Sequence, residues 1–110
     1  MPYSEELANR MRELLRSEPR VSEKKMFGGL AFLIDGRMAV AASNSGGAIV
    51  RVDPDRLDRF VESTAAVPMV MRGRPMTGWL AVPPSQLITK RDVARWIKVA
   101  VSYVSTLPTK

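Results

Sequence analysis

Arg72 and Arg74 flank a single glycine in Arg72-Gly73-Arg74-Pro75, and theirs is the side-chain chemistry in this sequence that is easiest to name. Guanidinium groups carry forked donors that match the oxygens of phosphate and carboxylate, so two of them on one tight turn can clamp an anion. Lys25 precedes Met26-Phe27-Gly28-Gly29. Successive glycine amides there can form a nest for an anion beside Lys24 and Lys25, although a plain bend into the next element accounts for the same glycines. Lys90, Arg91, Arg95 and Lys98 can approach a nucleic acid, and positions 91, 95 and 98 also make up the solvated side of an amphipathic helix. Lys25, Arg72, Arg74, Arg91 and Arg95 are therefore the candidate anion- or partner-binding residues. Arg51 lies inside an apolar run, where it either pairs with Asp53 or Asp55 or presents charge on a sheet.

The residue types that most hydrolases and metalloenzymes rely on are missing. With 0 Cys and 0 His the sequence has no thiol nucleophile, no imidazole base and none of the commonest metal ligands. Gly73 and Gly78 have the separation of a phosphate-loop motif, but Trp79-Leu80 stands where Lys-Ser/Thr must follow. No Gly-x-Ser-x-Gly elbow surrounds any serine. The best-placed carboxylates have structural roles: Asp35 in a turn, Asp53 as a cap and Asp92 in a first helical turn. No catalytic, cofactor-binding or metal-binding residue is expected, and the chain is read as a non-enzyme.

At 110 residues and 45% hydrophobic content the sequence fits one domain, residues 1–110, with one modest core. No apolar stretch approaches the ~20 residues of a membrane helix, and the N-terminus lacks the order of a secretory signal, so a cytoplasmic location is expected. The formal charge of +6 is uneven. Residues 53–66 carry 2 basic and 4 acidic groups, whereas residues 67–88 carry 2 and 0 and residues 89–110 carry 5 and 1. The basic excess thus lies in the C-terminal part, which also holds four of the five candidates.

The elements that must position these groups follow from periodicity and punctuation. Ser4 with Glu5 and Glu6 starts a helix whose apolar face is Leu7, Met11, Leu14 and Leu15, ending near Ser17 and Pro19. Leu30 to Ile34 and Arg37 to Ala42 form a hairpin around Asp35-Gly36. A two-residue turn pairs Ile34 with Arg37, Leu33 with Met38, Phe32 with Ala39, Ala31 with Val40 and Leu30 with Ala41. Both faces of that hairpin are apolar, so both are expected to be covered, by helices or by another subunit. Ala48 to Val52 adds a strand, and Asp53-Pro54 opens a helix with Leu57, Phe60 and Val61 on its buried side. Val67 to Met71 and Met76 to Val82 are two more strands. Thr89-Lys90-Arg91-Asp92 is a capping box with aspartate in the glutamate position, heading a helix with the stripe Val93, Trp96, Ile97, Ala100, Val101 and Val104, until Leu107-Pro108 stops it. The methionines at 26, 38, 69, 71 and 76 read as core filler or as an adaptable partner groove. The order is that of an α+β domain: an antiparallel sheet of about five strands with helices at the N-terminus, middle and C-terminus.

Lys25 to Gly29, Asp35 to Met38, Arg51-Val52-Asp53, Gly73 to Met76 ahead of Trp79, and Trp96 with Leu107-Pro108, taken in that order, resemble the TfoX N-terminal domain family over about Tyr3 to Pro108. The resemblance implies a small α+β fold, a stand-alone single-domain member and a role in transcriptional regulation of bacterial DNA-uptake competence. It implies no active site. The expected function is a non-enzymatic module acting through protein contacts, with a homodimer as an added expectation from the doubly apolar hairpin. Its first rival is direct nucleic-acid binding by the C-terminal helix and the Arg72–Arg74 loop; the second is a small-ligand protein or enzyme using those arginines and a carboxylate.

Overall fold

A computed structural model describes residues 3–26, 28–44, 46–71 and 73–107. Its order is α1 (Glu5–Leu14), β1 (Val21–Met26), β2 (Gly29–Ile34), β3 (Arg37–Ala42), β4 (Ala48–Arg51), α2 (Leu57–Ser63), β5 (Val67–Met71), β6 (Arg74–Val82) and α3 (Lys90–Val104). The strands form one six-stranded sheet in the order β1-β2-β3-β4-β6-β5. Every neighbouring pair is antiparallel. The α+β class and the helix positions are as the sequence implies. The additional strand is β1, which runs along the edge beside β2 from Val21↔Ile34 to Met26↔Gly29.

Local chemistry sets the ends of the helices. The Leu7 N–H donates to Ser4 Oγ at 3.2 Å, and Glu5 and Glu6 occupy the first turn of α1, where negative charge opposes the helix dipole. Asp53 caps as expected by accepting from the Asp55 N–H at 3.0 Å, but Pro54–Arg56 form a 3-10 turn first, so α2 starts at Leu57. At α3 both bonds of the capping box are present, Asp92 N–H to Thr89 Oγ1 at 3.0 Å and Thr89 N–H to Asp92 Oδ2 at 3.3 Å. That helix ends at Val104; Pro108 lies outside the described residues.

The β2–β3 hairpin turns on Asp35 (φ 54°) and Gly36 (φ 81°), the two positive φ angles a tight hairpin turn requires. Its register departs from the expected one beyond the first two pairs. Ile34↔Arg37 and Leu33↔Met38 hold, after which Phe32 pairs with Val40, Ala31 with Ala41 and Leu30 with Ala42. Ala39 is the extra residue of a β-bulge. The slip turns Val40 to the same side as Phe32 and leaves Ala41 with Ala31, which exchanges the two residues between faces. Gly29 begins β2 at a point of close approach, since a Cβ there would collide with the Ala42 carbonyl oxygen. The bend reading of Gly28-Gly29 rests on this crowding and on the positive φ of Gly28, 74°.

One side of the sheet carries the helices. Leu30, Phe32 and Ile34 of β2, Val40 and Ala42 of β3, Val50 of β4 and Leu80 and Val82 of β6 pack with Leu7, Ala8 and Met11 of α1 and with Val93, Trp96, Ile97, Ala100 and Val104 of α3. Leu57, Phe60 and Val61 of α2 join this core half-buried, as does Val101. Phe60 leans on Trp96 with ring centroids 5.8 Å apart.

Candidate partner-binding surfaces

The sequence candidates are set apart by the fold. Lys25 is exposed on β1, the edge strand, where it pairs with Leu30. Arg74 is exposed at the start of β6 and pairs with Met71 of β5, the opposite edge, so it belongs to the strand rather than to the loop. Arg72 lies outside the described residues. Arg91 and Arg95 are exposed on α3, which packs on β3 and β4. Arg95 has Asp92 at 3.8 Å, and Lys90 between α3 and α1 is held by Glu13 at 2.7 Å. Lys25 on the β1 edge and Arg74 on β6, next to the β5 edge, thus stand far apart across the sheet, and among the described candidates only Arg91 and Arg95 share an element.

Two of the grooves between elements matter for these side chains. One of about 370 Å³ separates α2 from α3; Arg56, Arg95 and Lys98 line it with Asp53, Phe60 and Tyr103. The other, about 710 Å³, runs between α1 and β1. In it Arg12 grips Glu23 through two bonds, Nε to Oε2 at 2.6 Å and Nη2 to Oε1 at 2.9 Å. This pairing holds the Glu23 carboxyl below the usual carboxylate range and the Arg12 guanidinium above its own. The hydrogen bond from Lys90 does the same to Glu13. Both carboxyl shifts run downward, opposite to what a general acid at neutral pH needs, so these groups act as ion-pair partners. Among the described residues no cluster of three or more carboxylates is placed to hold a metal ion.

The side of the sheet opposite the helices is also apolar. Ala31, Ala41 and Ile49 are buried there, surrounded by half-buried Met26, Leu33, Met38, Met69 and Trp79. Every residue of this second cluster comes from a strand. Pairing in the ladders arranges this face in one row that crosses all six strands and a second row in two parts. One row runs Lys24, Ala31, Ala41, Ile49, Ala81, Val67. The other is in two parts, Ser22, Leu33, Met38 on β1 to β3 and Arg51, Trp79 on β4 and β6, with Met69 of β5 in the same apolar cluster. Of the two expected covers for the hairpin, helices supply the one on the core side; among the described residues no helix packs on the other side, where methionines 26, 38 and 69 lie.

Arg51 stands at the end of β4, the last residue of the strand, where its side chain reaches both Trp79 of the helix-free cluster and Tyr103 of α3, which packs on the helix side. Its guanidinium carbon is 5.3 Å from the Trp79 ring centroid and 5.8 Å from that of Tyr103. Two π faces hold the cation, and no carboxylate among the described residues comes within 4.0 Å of it in place of the expected Asp53 or Asp55. Sequence reasoning left this arrangement open, because Tyr103 is distant in the chain and the Arg51–Trp79 pairing needs the β4–β6 register. The signal that was legible is the apolar character of both sides of β2 and β3.

Fold and motifs can now be set beside known proteins. No curated protein matches the chain. The family model described as TfoX N-terminal domain matches residues 13–103, a span that includes the sheet, α2 and nearly all of α3. That family is not known as an enzyme family. With most of its length matched, the chain belongs to the TfoX N-terminal domain family.

Proposed function

We propose that this domain is a non-enzymatic regulatory module that works through protein contacts, in the competence-related transcriptional setting from which its family takes its name. The observation that carries the reading is the apolar cluster on the helix-free side of the sheet, built from strand residues alone. An uncovered apolar face rich in methionine and carrying a tryptophan has the composition of an adaptable protein-binding surface. The test is capture from a native lysate of the source organism on immobilised domain, with three baits: wild type, Met38→Lys and Arg74→Ala. The wild-type bait retains a specific protein set that Met38→Lys loses. A set left unchanged by Met38→Lys rejects this face as the recognition surface, and a set lost only with Arg74→Ala moves recognition to the β5–β6 hairpin.

A second reading, direct nucleic-acid binding, draws on Arg91 of α3 and on Arg56 and Lys98 beside the α2–α3 groove. None of the three has a carboxylate within 4.0 Å among the described residues. Phosphate contacts release counterions, so the affinity for a labelled duplex or single strand falls steeply with salt. Absence of binding to both at about 50 mM salt rejects it.

A further inference from the structure

The helix-free face has a charge as well as an apolar surface, and the charge specifies what fits it. Neither of its two rows contains an aspartate or a glutamate. Both contain a cation, Lys24 at the β1 end of the first and Arg51 within the second. Lys24 is exposed and has no carboxylate within 4.0 Å among the described residues. Arg51 is held between two rings and is equally free of a carboxylate. The acids nearest in sequence are engaged elsewhere: Glu23 is held by Arg12 through two hydrogen bonds, and Asp53 caps the turn before α2.

We infer that this face receives an acidic amphipathic helix of a partner protein, its apolar side against Leu33, Met38, Met69 and Trp79 and its carboxylates against Lys24 and Arg51. The inference rests on the protein-contact reading above and adds the chemistry of the partner. Charge decides against a second copy of this domain, since an identical face brings cations with no carboxylate to receive them. Dimensions agree with a helix. Adjacent strands are about 4.8 Å apart, so the six strands offer about 24 Å, the length of about 16 helical residues. Lys24 on β1 and Arg51 on β4 are three strand spacings apart across the sheet and two residues apart along it, about 16 Å in all, so carboxylates about three turns apart on one helix side meet both. Flexible methionine side chains shape themselves to the apolar side of such a helix, and Val67, 53% exposed, extends the apolar surface at the β5 end.

The experiment uses the full chain with carbon-13-labelled methionine methyls and a synthetic peptide of about 18 residues, leucines on one helical side flanked by glutamates. Its control is the same peptide with lysine for every glutamate. The Met38 and Met69 signals shift saturably with the glutamate peptide, while Met11, 2% exposed between the helices and the sheet, stays in place. The lysine peptide binds at least about tenfold more weakly, and Lys24→Glu combined with Arg51→Gln reduces binding of the glutamate peptide by about the same factor. The comparison of the two peptides on the unaltered chain needs no variant to fold.

Equal affinity for both peptides, or no shift at roughly 1 mM glutamate peptide, overturns the inference. It is also overturned if diluting the domain alone moves the same methyl signals, which marks a second copy as the occupant. Shifts with phosphatidylglycerol vesicles but not with the glutamate peptide overturn it in favour of a lipid surface. If lysate capture is lost with Met38→Lys while the glutamate peptide has no effect, the partner chemistry is wrong and the module reading stands. If capture is insensitive to Met38→Lys and the peptide has no effect, both fall.

Discussion

Phe32 and Leu33 are neighbours in one strand and belong to different environments. Phe32 points to the helix side, is 1% exposed and joins the core made with α1 and α3. Leu33 points to the other side and is half-buried among residues of the sheet alone. Both sides are apolar because both exclude water from the centre of the sheet, yet one is closed by helices and the other by its own methionines and Trp79. Folding therefore draws its stability mainly from one side, and the second side keeps apolar surface whose burial remains for a partner. The difference between the faces, more than any single side chain, supports a docking role.

The largest effects test that asymmetry directly. Phe32→Ala should destabilise by about 3–5 kcal/mol, because it opens a cavity where helices and sheet meet. Leu33→Ala should cost about 1 kcal/mol, since part of that side chain already faces water. Urea-unfolding midpoints of the two variants decide the matter. Equal losses would mean that the second face is as closed as the first, and the docking argument would lose its basis.

Glycine variants come next and separate crowding from backbone strain. Gly29→Ala should cost about 2 kcal/mol or more, because the new Cβ meets the Ala42 carbonyl and the β2–β3 ladder must shift. Gly36→Ala meets open space at φ 81° and should cost only about 1–2 kcal/mol for the left-handed backbone. Thermal melts of both rank them; the reverse order would show that the ladder relaxes around the added methyl.

Much of this was legible in the sequence, and the failures have physical causes. Asp35-Gly36 announced its hairpin because few other residues tolerate two successive positive φ angles. Thr89 and Asp92 announced α3 because their reciprocal bonds are local. The strand β1 did not announce itself: Val21-Ser22-Glu23-Lys24-Lys25-Met26 shows no alternation of apolar and polar residues, and its order comes from pairing with β2. The bulge at Ala39 was hidden because alanine and valine fit either side, so nothing in composition marks where the register slips. The placement of Arg51 between Trp79 and Tyr103 depends on residues brought together from three elements. The candidate cations were visible as residue types, but their separation across the sheet follows from the strand order.

Loosening α3 sharpens the comparison from the helix side. Thr89→Ala removes the acceptor for the Asp92 N–H and should cost about 1 kcal/mol. Because α3 lies against the core side, the variant should keep its affinity for a ligand of the opposite face, measured by the same methionine methyl shifts. A drop in affinity as large as the drop in stability would indicate that the two faces are coupled through the sheet.

The smallest effect concerns pH and the contact of α1 with the edge strand. Glu23 has its carboxyl held below the usual range by Arg12, so its folded-state pKa lies under its unfolded one. A depressed carboxyl contributes stability that is present above the unfolded value, about 4.3, and is lost as pH falls through the folded one. The side chains of Arg12 and Glu23 are 48% and 37% exposed, so solvent screening limits the pair to about 0.5 kcal/mol despite its two hydrogen bonds. Glu23→Gln should thus melt slightly below the wild type at pH 6, with the gap narrowing as pH drops below 4 and also in about 1 M salt. A gap that persists unchanged in acid and in high salt would mean that Glu23 holds β1 by packing and not by its charge, and that the edge strand on the core side needs no ion pair to stay closed.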